Sequence, residues 1–194
     1  MNQPTLILGS SSPFRRELLA RLLVPFEVDS PDIDETAKPG ESPIALVERL
    51  AIEKAKAVAA RHTNALVIGS DQIAMHGSDI VGKPGDHATA VQQLKQASGT
   101  AVTLYTGLAL INSYSGRTQS DVVRFATHFK HLSEVQIENY LRKEQPYNCA
   151  GSLKSEGLGI ALLERFEGDD PSALIGLPLI RLISMLEEEG YALY

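Results

Sequence analysis

Asp71 closes the apolar run ALVIGS, residues 65–70, and is followed at once by Gln72. A carboxylate at the carboxyl end of a buried strand stands where open α/β sheets gather their ligands. It also suits a plain turn-capping aspartate. Lys54 is the second residue out of place. Val47, Leu50, Ala51 and Val58 share one face of a helix predicted over 42–61, and Lys54 falls within that stripe. Either the chain snorkels to solvent, or its ammonium meets an anion, because an unpaired buried charge is too costly. The acidic loop DIDET supplies Asp34 and Glu35, which with Asp71 offer the oxygen ligands that Mg²⁺ or Mn²⁺ prefers.

Cations collect at three further places. SSSPFRRELL, residues 10–19, puts Arg15 and Arg16 on the first turn of a helix with Ser12 as N-cap and Pro13 at its first position. A helix N-terminus already favours anions, so the arginines suggest a phosphate seat, although an ordinary cap with solvated arginines has the same sequence. GKP at 82–84 and AGSLKSEGLG at 150–159 each frame a lysine, Lys83 and Lys154, with glycines that permit close backbone approach. Neither segment has the P-loop spacing, GLG is not a dinucleotide fingerprint, and no GxSxG elbow occurs. His128 and His131 would face opposite sides of a strand, so their spacing does not describe a zinc site. Several scattered cations with two acids have the composition of a nucleoside triphosphate hydrolase that lacks a P-loop.

These residues need a scaffold, and the patterning predicts an α/β fold with a mixed sheet. TLILG (5–9), FEVDS (26–30) and ALVIGSD (65–71) read as strands, the last ending at a polar tip. Helices are predicted from Ser12 to Leu23, from Ser42 to Arg61 and, capped by Asp86, to Ser98. AVTLYTGLALIN (101–112), DVVRFATHF (121–129) and GIALLERF (159–166) are further strands. Ser133 with Gln136 forms a capping box for a helix through Lys143, and LPLIRLISMLEEE is a last helix stopped by Gly190. Early alternation with longer strands in the middle favours a mixed sheet over a strict doubly wound one. The 194 residues show no repeat and no long linker, so a single domain over 1–194 is expected.

Composition narrows the partners. A net charge of −6 argues against a nucleic-acid partner but leaves room for a small anion held by clustered cations. No transmembrane run or signal peptide is evident, and one cysteine, Cys149, forms no internal disulfide. A cytoplasmic protein without a membrane partner is the expectation.

Taken together, SSSPFRRELL, DET (34–36), EKA (53–55), SDQ (70–72), GKP (82–84), TG (106–107), AGSLKSEG (150–157) and GLP (176–178) resemble the Maf family of nucleoside triphosphate pyrophosphatases. The resemblance covers essentially the whole chain. It implies an elongated α/β fold with two lobes about a cleft, often a homodimer. It also implies hydrolysis between the α- and β-phosphates with a divalent metal. Asp71 matches the proposed general base of the family; Arg15, Glu35, Lys54 and Lys83 match its other polar positions. Arg15, Lys54 and Lys83 are thereby assigned to the phosphates, and Glu35 with Asp71 to Mg²⁺ or Mn²⁺.

The family's branch acting on dTTP and UTP reads SPRR, ADT and a late glutamine, where this chain has Phe14, Gln72 and Glu156. The pattern looks like the branch acting on 7-methyl-GTP. N7-methylation makes guanine cationic, which favours an aromatic face over an arginine. A Glu156 carboxylate can accept from guanine N1–H and its exocyclic amine together. Phe14, Gln72 and Glu156 are therefore expected to read the base. The runners-up are the same reaction on dTTP or UTP, and a nucleotide-binding regulator of cell division.

Overall fold

The computed structural model describes residues 3–194. In chain order the elements are β1 (Thr5–Gly9), α1 (Pro13–Ala20), β2 (Glu27–Val28), α2 (Pro43–Ala59), β3 (Ala65–His76), β4 (Asp79–Val81) and α3 (His87–Ala97). β5 (Ala101–Asn112), β6 (Thr118–Phe129), α4 (Glu134–Glu144), β7 (Leu163–Glu167) and α5 (Leu179–Glu188) follow, with short 3-10 turns after α4 and before α5. Seven strands form a mixed sheet in the order β2-β1-β3-β5-β6-β7, with β4 added on β3. β1 runs parallel to both β2 and β3, whereas β4 and β7 pair antiparallel. The fold is thus the α/β, mixed-sheet class that the sequence predicts.

Two compact units divide the chain. One takes the chain through Gln72, Thr106–Val123 and Asp170–Tyr194; the other takes Ile73–Tyr105 and Arg124–Asp169. The boundaries fall inside β3, β5 and β6, so each of these long strands contributes to both units.

In the first unit, strand alternation sorts the sheet into two faces. Leu6, Leu8, Leu66, Ile68, Leu108 and Leu110 pack with Leu18 and Leu19 of α1 and Leu182, Met185 and Leu186 of α5. Ile7, Ala65, Val67, Ala109 and Ile111 meet Ala51, Ala55 and Val58 of α2 on the other. Two glycines let α2 lie unusually close. A Cβ on Gly69 would stand 2.1 Å from the Ala51 carbonyl oxygen and 2.8 Å from the Ala55 nitrogen. One on Gly107 would stand 2.1 Å from the Val47 carbonyl. Because these neighbours are helix backbone, a Gly69→Ala change must lift α2 off the sheet. We expect it to cost about 1–3 kcal/mol or more, read as a lowered thermal midpoint; an unchanged midpoint would show that the contact tolerates a methyl group.

In the second unit α3 packs on α4, burying Ala90, Leu94 and Ala97 with Ile137, Tyr140 and Leu141. The predicted Asp86 cap and the Ser133–Gln136 capping box are both present. Among the described residues no helix is long and apolar enough to cross a membrane.

The differences from the predicted elements have local causes. α1 stops at Ala20, because the next N–H groups bond three residues back and Leu23 turns to a φ of +56°. β2 keeps only Glu27 and Val28 of FEVDS. Residues 158–162 form a 3-10 turn and only Leu163–Glu167 is strand, since Gly157 and Gly159 both donate back to the Lys154 carbonyl. The largest correction concerns Asp71. β3 does not end there but continues through Gln72 to His76, where β4 pairs with its last residues. Asp71 is a mid-strand residue.

Candidate active site

The position of Asp71 follows from strand parity. Gly69 and Asp71 share the face of β3 that meets α2, whereas Ser70 and Gln72 point to the opposite face. Gly69 brings α2 down, and Lys54, one turn beyond Leu50 in the buried stripe, arrives beside Asp71. Its ammonium lies 2.7 Å from Asp71 Oδ1 and 2.8 Å from Glu35 Oε1. The Lys54 side chain is 9% exposed, so it does not snorkel; the buried charge is met by two carboxylates.

Glu35 belongs to a loop that α2 holds in place. Arg49 grips both oxygens of Glu41 at 2.6 and 2.8 Å, reaches Glu53 at 2.9 Å and donates to the Thr36 carbonyl at 3.1 Å. This fork holds the Glu41 carboxyl down at about 2, well below the ordinary glutamate value. Asp34 closes the turn by accepting from the Thr36 N–H at 2.9 Å, and it contributes to loop shape rather than to the Lys54 cluster.

Arg15 approaches from α1. Ser12 caps the helix, as predicted, by accepting from the Arg15 N–H. The guanidinium donates from Nε to the Gly176 carbonyl at 2.8 Å and from Nη1 to Ser10 Oγ at 3.4 Å. Burial lowers its pKa, while the charges of Asp71 and Glu35 push it back up. Arg15, Glu35, Lys54 and Asp71 are therefore one electrostatic cluster in the first unit. Arg16 is exposed and Phe14 is half-buried at the helix start. Gln72 spends its amide N–H groups on Thr106 Oγ1 at 2.8 Å and the Ala173 carbonyl at 2.6 Å.

The second unit carries the remaining candidates. Lys83 is exposed in the segment 82–85. That segment is stitched to residues 147–151 by Gly85 N–H to the Tyr147 carbonyl and Gly151 N–H to the Gly82 carbonyl. Glu156 is exposed. Lys83 and Glu156 both act on the half-buried Cys149 thiol. Burial raises its pKa most and Glu156 adds to the rise, against opposing pulls from Lys154 and Lys83. Lys154 is not a free cation. Its ammonium pairs with Glu144 at 2.7 Å, and Glu144 also accepts from the Leu158 N–H at 2.7 Å, stapling the 154–158 loop. His128 pairs with Glu167 at 3.0 Å, and His131 lies against Gly99 beyond the end of β6.

Arg49, Ser70, Asp170 and Gly176 escaped the sequence reading. Ser70, within SDQ, is marked in the sequence as a hydroxyl inside an apolar strand, and Gly176 belongs to GLP (176–178).

The donor set has a defined capacity for a metal ion. Glu35 and Asp71 converge, but among the described residues no three His, Cys, Asp or Glu side chains stand together. Mg²⁺ is commonly held by one or two carboxylates plus substrate phosphates and water, and two carboxylates fit that mode.

This chain belongs to the Maf family: the profile described as Maf-like protein matches residues 5–189. Among its relatives are three proteins named 7-methyl-GTP pyrophosphatase. That of Nitrosococcus oceani is 58% identical, covering 97% of this chain and 94% of its own. That of Thiobacillus denitrificans is 56% identical and that of Colwellia psychrerythraea 55%, each covering 96% of this chain and 93% of its own.

Proposed function

We propose that this chain hydrolyses 7-methyl-GTP to 7-methyl-GMP and pyrophosphate, acting in the cytoplasm to remove a modified nucleotide, with a homodimer as the working assembly. The observation that carries the reading is 58% identity to a 7-methyl-GTP pyrophosphatase over nearly the full length of both chains. Phe14 and Glu156, in place of an arginine and a glutamine, support it from the sequence.

In this mechanism Asp71 takes the proton from the attacking water. Its Oδ1 is held by Lys54, which leaves Oδ2 for that role. Arg15, Lys54 and Lys83 neutralise the phosphates and the charge gathering on departing pyrophosphate. Lys54 can turn toward a phosphate by giving up Glu35, the more exposed of its two partners at 59% against 14%. Glu35 and Asp71 would hold Mg²⁺ or Mn²⁺, which when bound polarises phosphoryl oxygen and offsets its charge.

Base selection provides the test. Pyrophosphate release is measured on 7-methyl-GTP, GTP, UTP and dTTP for the wild type and for Glu156→Gln. The wild type is expected to have its highest kcat/KM on 7-methyl-GTP. In the variant an amide N–H opposes a guanine N–H, costing about 1–3 kcal/mol, or roughly five- to more than a hundredfold. Relative activity on UTP and dTTP should rise. A wild-type preference for UTP or dTTP would replace the substrate, an equal loss on all four would remove Glu156 from base selection, and nucleotide binding without turnover would favour a regulator.

A further inference from the structure

Arg15 does not hold its own position. Its Nε is fixed by the Gly176 carbonyl, which also accepts from Ser70 Oγ at 2.9 Å. Three residues earlier, the Ala173 carbonyl accepts from Gln72 Nε2 at 2.6 Å and from Thr106 Oγ1 at 2.9 Å. Two backbone carbonyls of one short loop are thus docked on side chains of α1, β3 and β5. Gly176 adopts a φ of +117°, which a side chain would strain, and a Cβ there would sit 3.5 Å from Arg15 Nε.

The loop is set in turn by Asp170, which is 4% exposed. Its Oδ1 accepts from the N–H of Ser172 at 3.1 Å and from the Ser172 hydroxyl, and its Oδ2 from the Ile180 N–H at 2.8 Å. Ser172 Oγ accepts from the Leu179 N–H at 2.7 Å. Pro178 stands at the N-cap of α5 and provides no side-chain cap. The buried carboxylate therefore satisfies the first turn of α5 from ten residues upstream, where helix N–H groups favour negative charge. In doing so it ties residues 170–180 into a hydrogen-bonded arch that contains the Gly176 carbonyl.

We propose that Asp170 and Ser70 are positioning residues for Arg15, acting through the Gly176 carbonyl. With Nε and Nη1 engaged, Nη2 is left for the phosphates; without the arch the guanidinium loses its Nε partner. This inference rests on the phosphate role of Arg15 in the proposed reaction.

A double-mutant cycle tests it, read on pyrophosphate binding by calorimetry as well as on KM and kcat. Asp170→Asn presents an amide to donors and loses part of the arch. We expect affinity for pyrophosphate to fall about tenfold and KM to rise similarly, with kcat less affected. In an Arg15→Lys background, which lacks the Nε donor, the same change should cost less than about twofold. Ser70→Ala removes one donor from Gly176 without touching Asp170, and it should move affinity the same way with the thermal midpoint nearly kept. It keeps the idea testable should Asp170→Asn fold poorly. Losses that multiply with Arg15→Lys, or affinities unchanged in both variants, would overturn the positioning role. Pyrophosphate binding requires no turnover, so a wild type inactive on every nucleotide would remove the proposed reaction while leaving the cycle readable.

Discussion

Asp71→Asn abolishes turnover and leaves nucleotide binding nearly intact: this is the largest effect expected of any single substitution in the cluster. The amide oxygen can still accept from the Lys54 ammonium, which now lies 2.7 Å from Oδ1, so α2 and β3 stay joined. What is lost is the second oxygen. Among the described residues no hydrogen bond reaches Asp71 Oδ2, and an NH₂ group there cannot take a proton from water. Loss of a general base costs about 10²–10⁴-fold in rate. Single-turnover release of pyrophosphate, beside a binding isotherm for the same nucleotide, separates the two effects. Turnover within a few-fold of wild type would exclude Asp71 as the base, and a parallel loss of binding would make it a structural anchor instead.

How much of this was legible in the residues depends on the range of the interaction that decides each case. Caps were legible because they are local: Ser12, Ser42, Asp86 and Ser133 each accept from an N–H three residues on. The anomaly of Lys54 was legible because helical spacing places it among apolar neighbours, and burial of an ammonium demands a counter-charge. The identity of that counter-charge was not, since it depends on α2 settling onto Gly69 and on the Arg49 fork that holds the Glu35 loop. The end of β3 is not legible for a similar reason. Asp71 and Gln72 look like a turn, but each is satisfied within the fold, one by Lys54 and the other by Thr106 and Ala173. Lys154 looked like a ligand for an anion, whereas Glu144, ten residues away on α4, already holds it. Motif resemblance reached further than spacing. It gathered Arg15, Glu35, Lys54, Lys83 and Asp71 under one activity; all but Lys83 belong to the first unit of the fold.

Lys54→Met separates the structural from the chemical role of the ammonium. Methionine suits the stripe of Leu50, Ala51 and Val58, and its thioether fills the space of the lysine stem. The two carboxylates fare differently. Glu35 is 59% exposed and can return to water at little cost, whereas Asp71 is 14% exposed and loses its counter-ion in a half-buried setting. Removing one member of a fully buried pair costs about 3–5 kcal/mol; with water reaching this one, a loss of about 1–3 kcal/mol is expected. Adding Asp71→Asn to Lys54→Met removes the stranded charge, so the double variant should regain most of that stability. Activity should not follow. With the ammonium gone, neither the phosphates nor the oriented Oδ1 of Asp71 has its partner, and kcat/KM should fall by about a hundredfold or more. Because Asp71→Asn alone abolishes turnover, the single variant decides the chemistry: a roughly hundredfold loss of kcat/KM in Lys54→Met that remains folded at the assay temperature identifies Lys54 as part of the reacting cluster. A single variant with wild-type kcat/KM would remove Lys54 from the chemistry, and a double variant no more stable than Lys54→Met alone would show that the ion pair does not stabilise the fold.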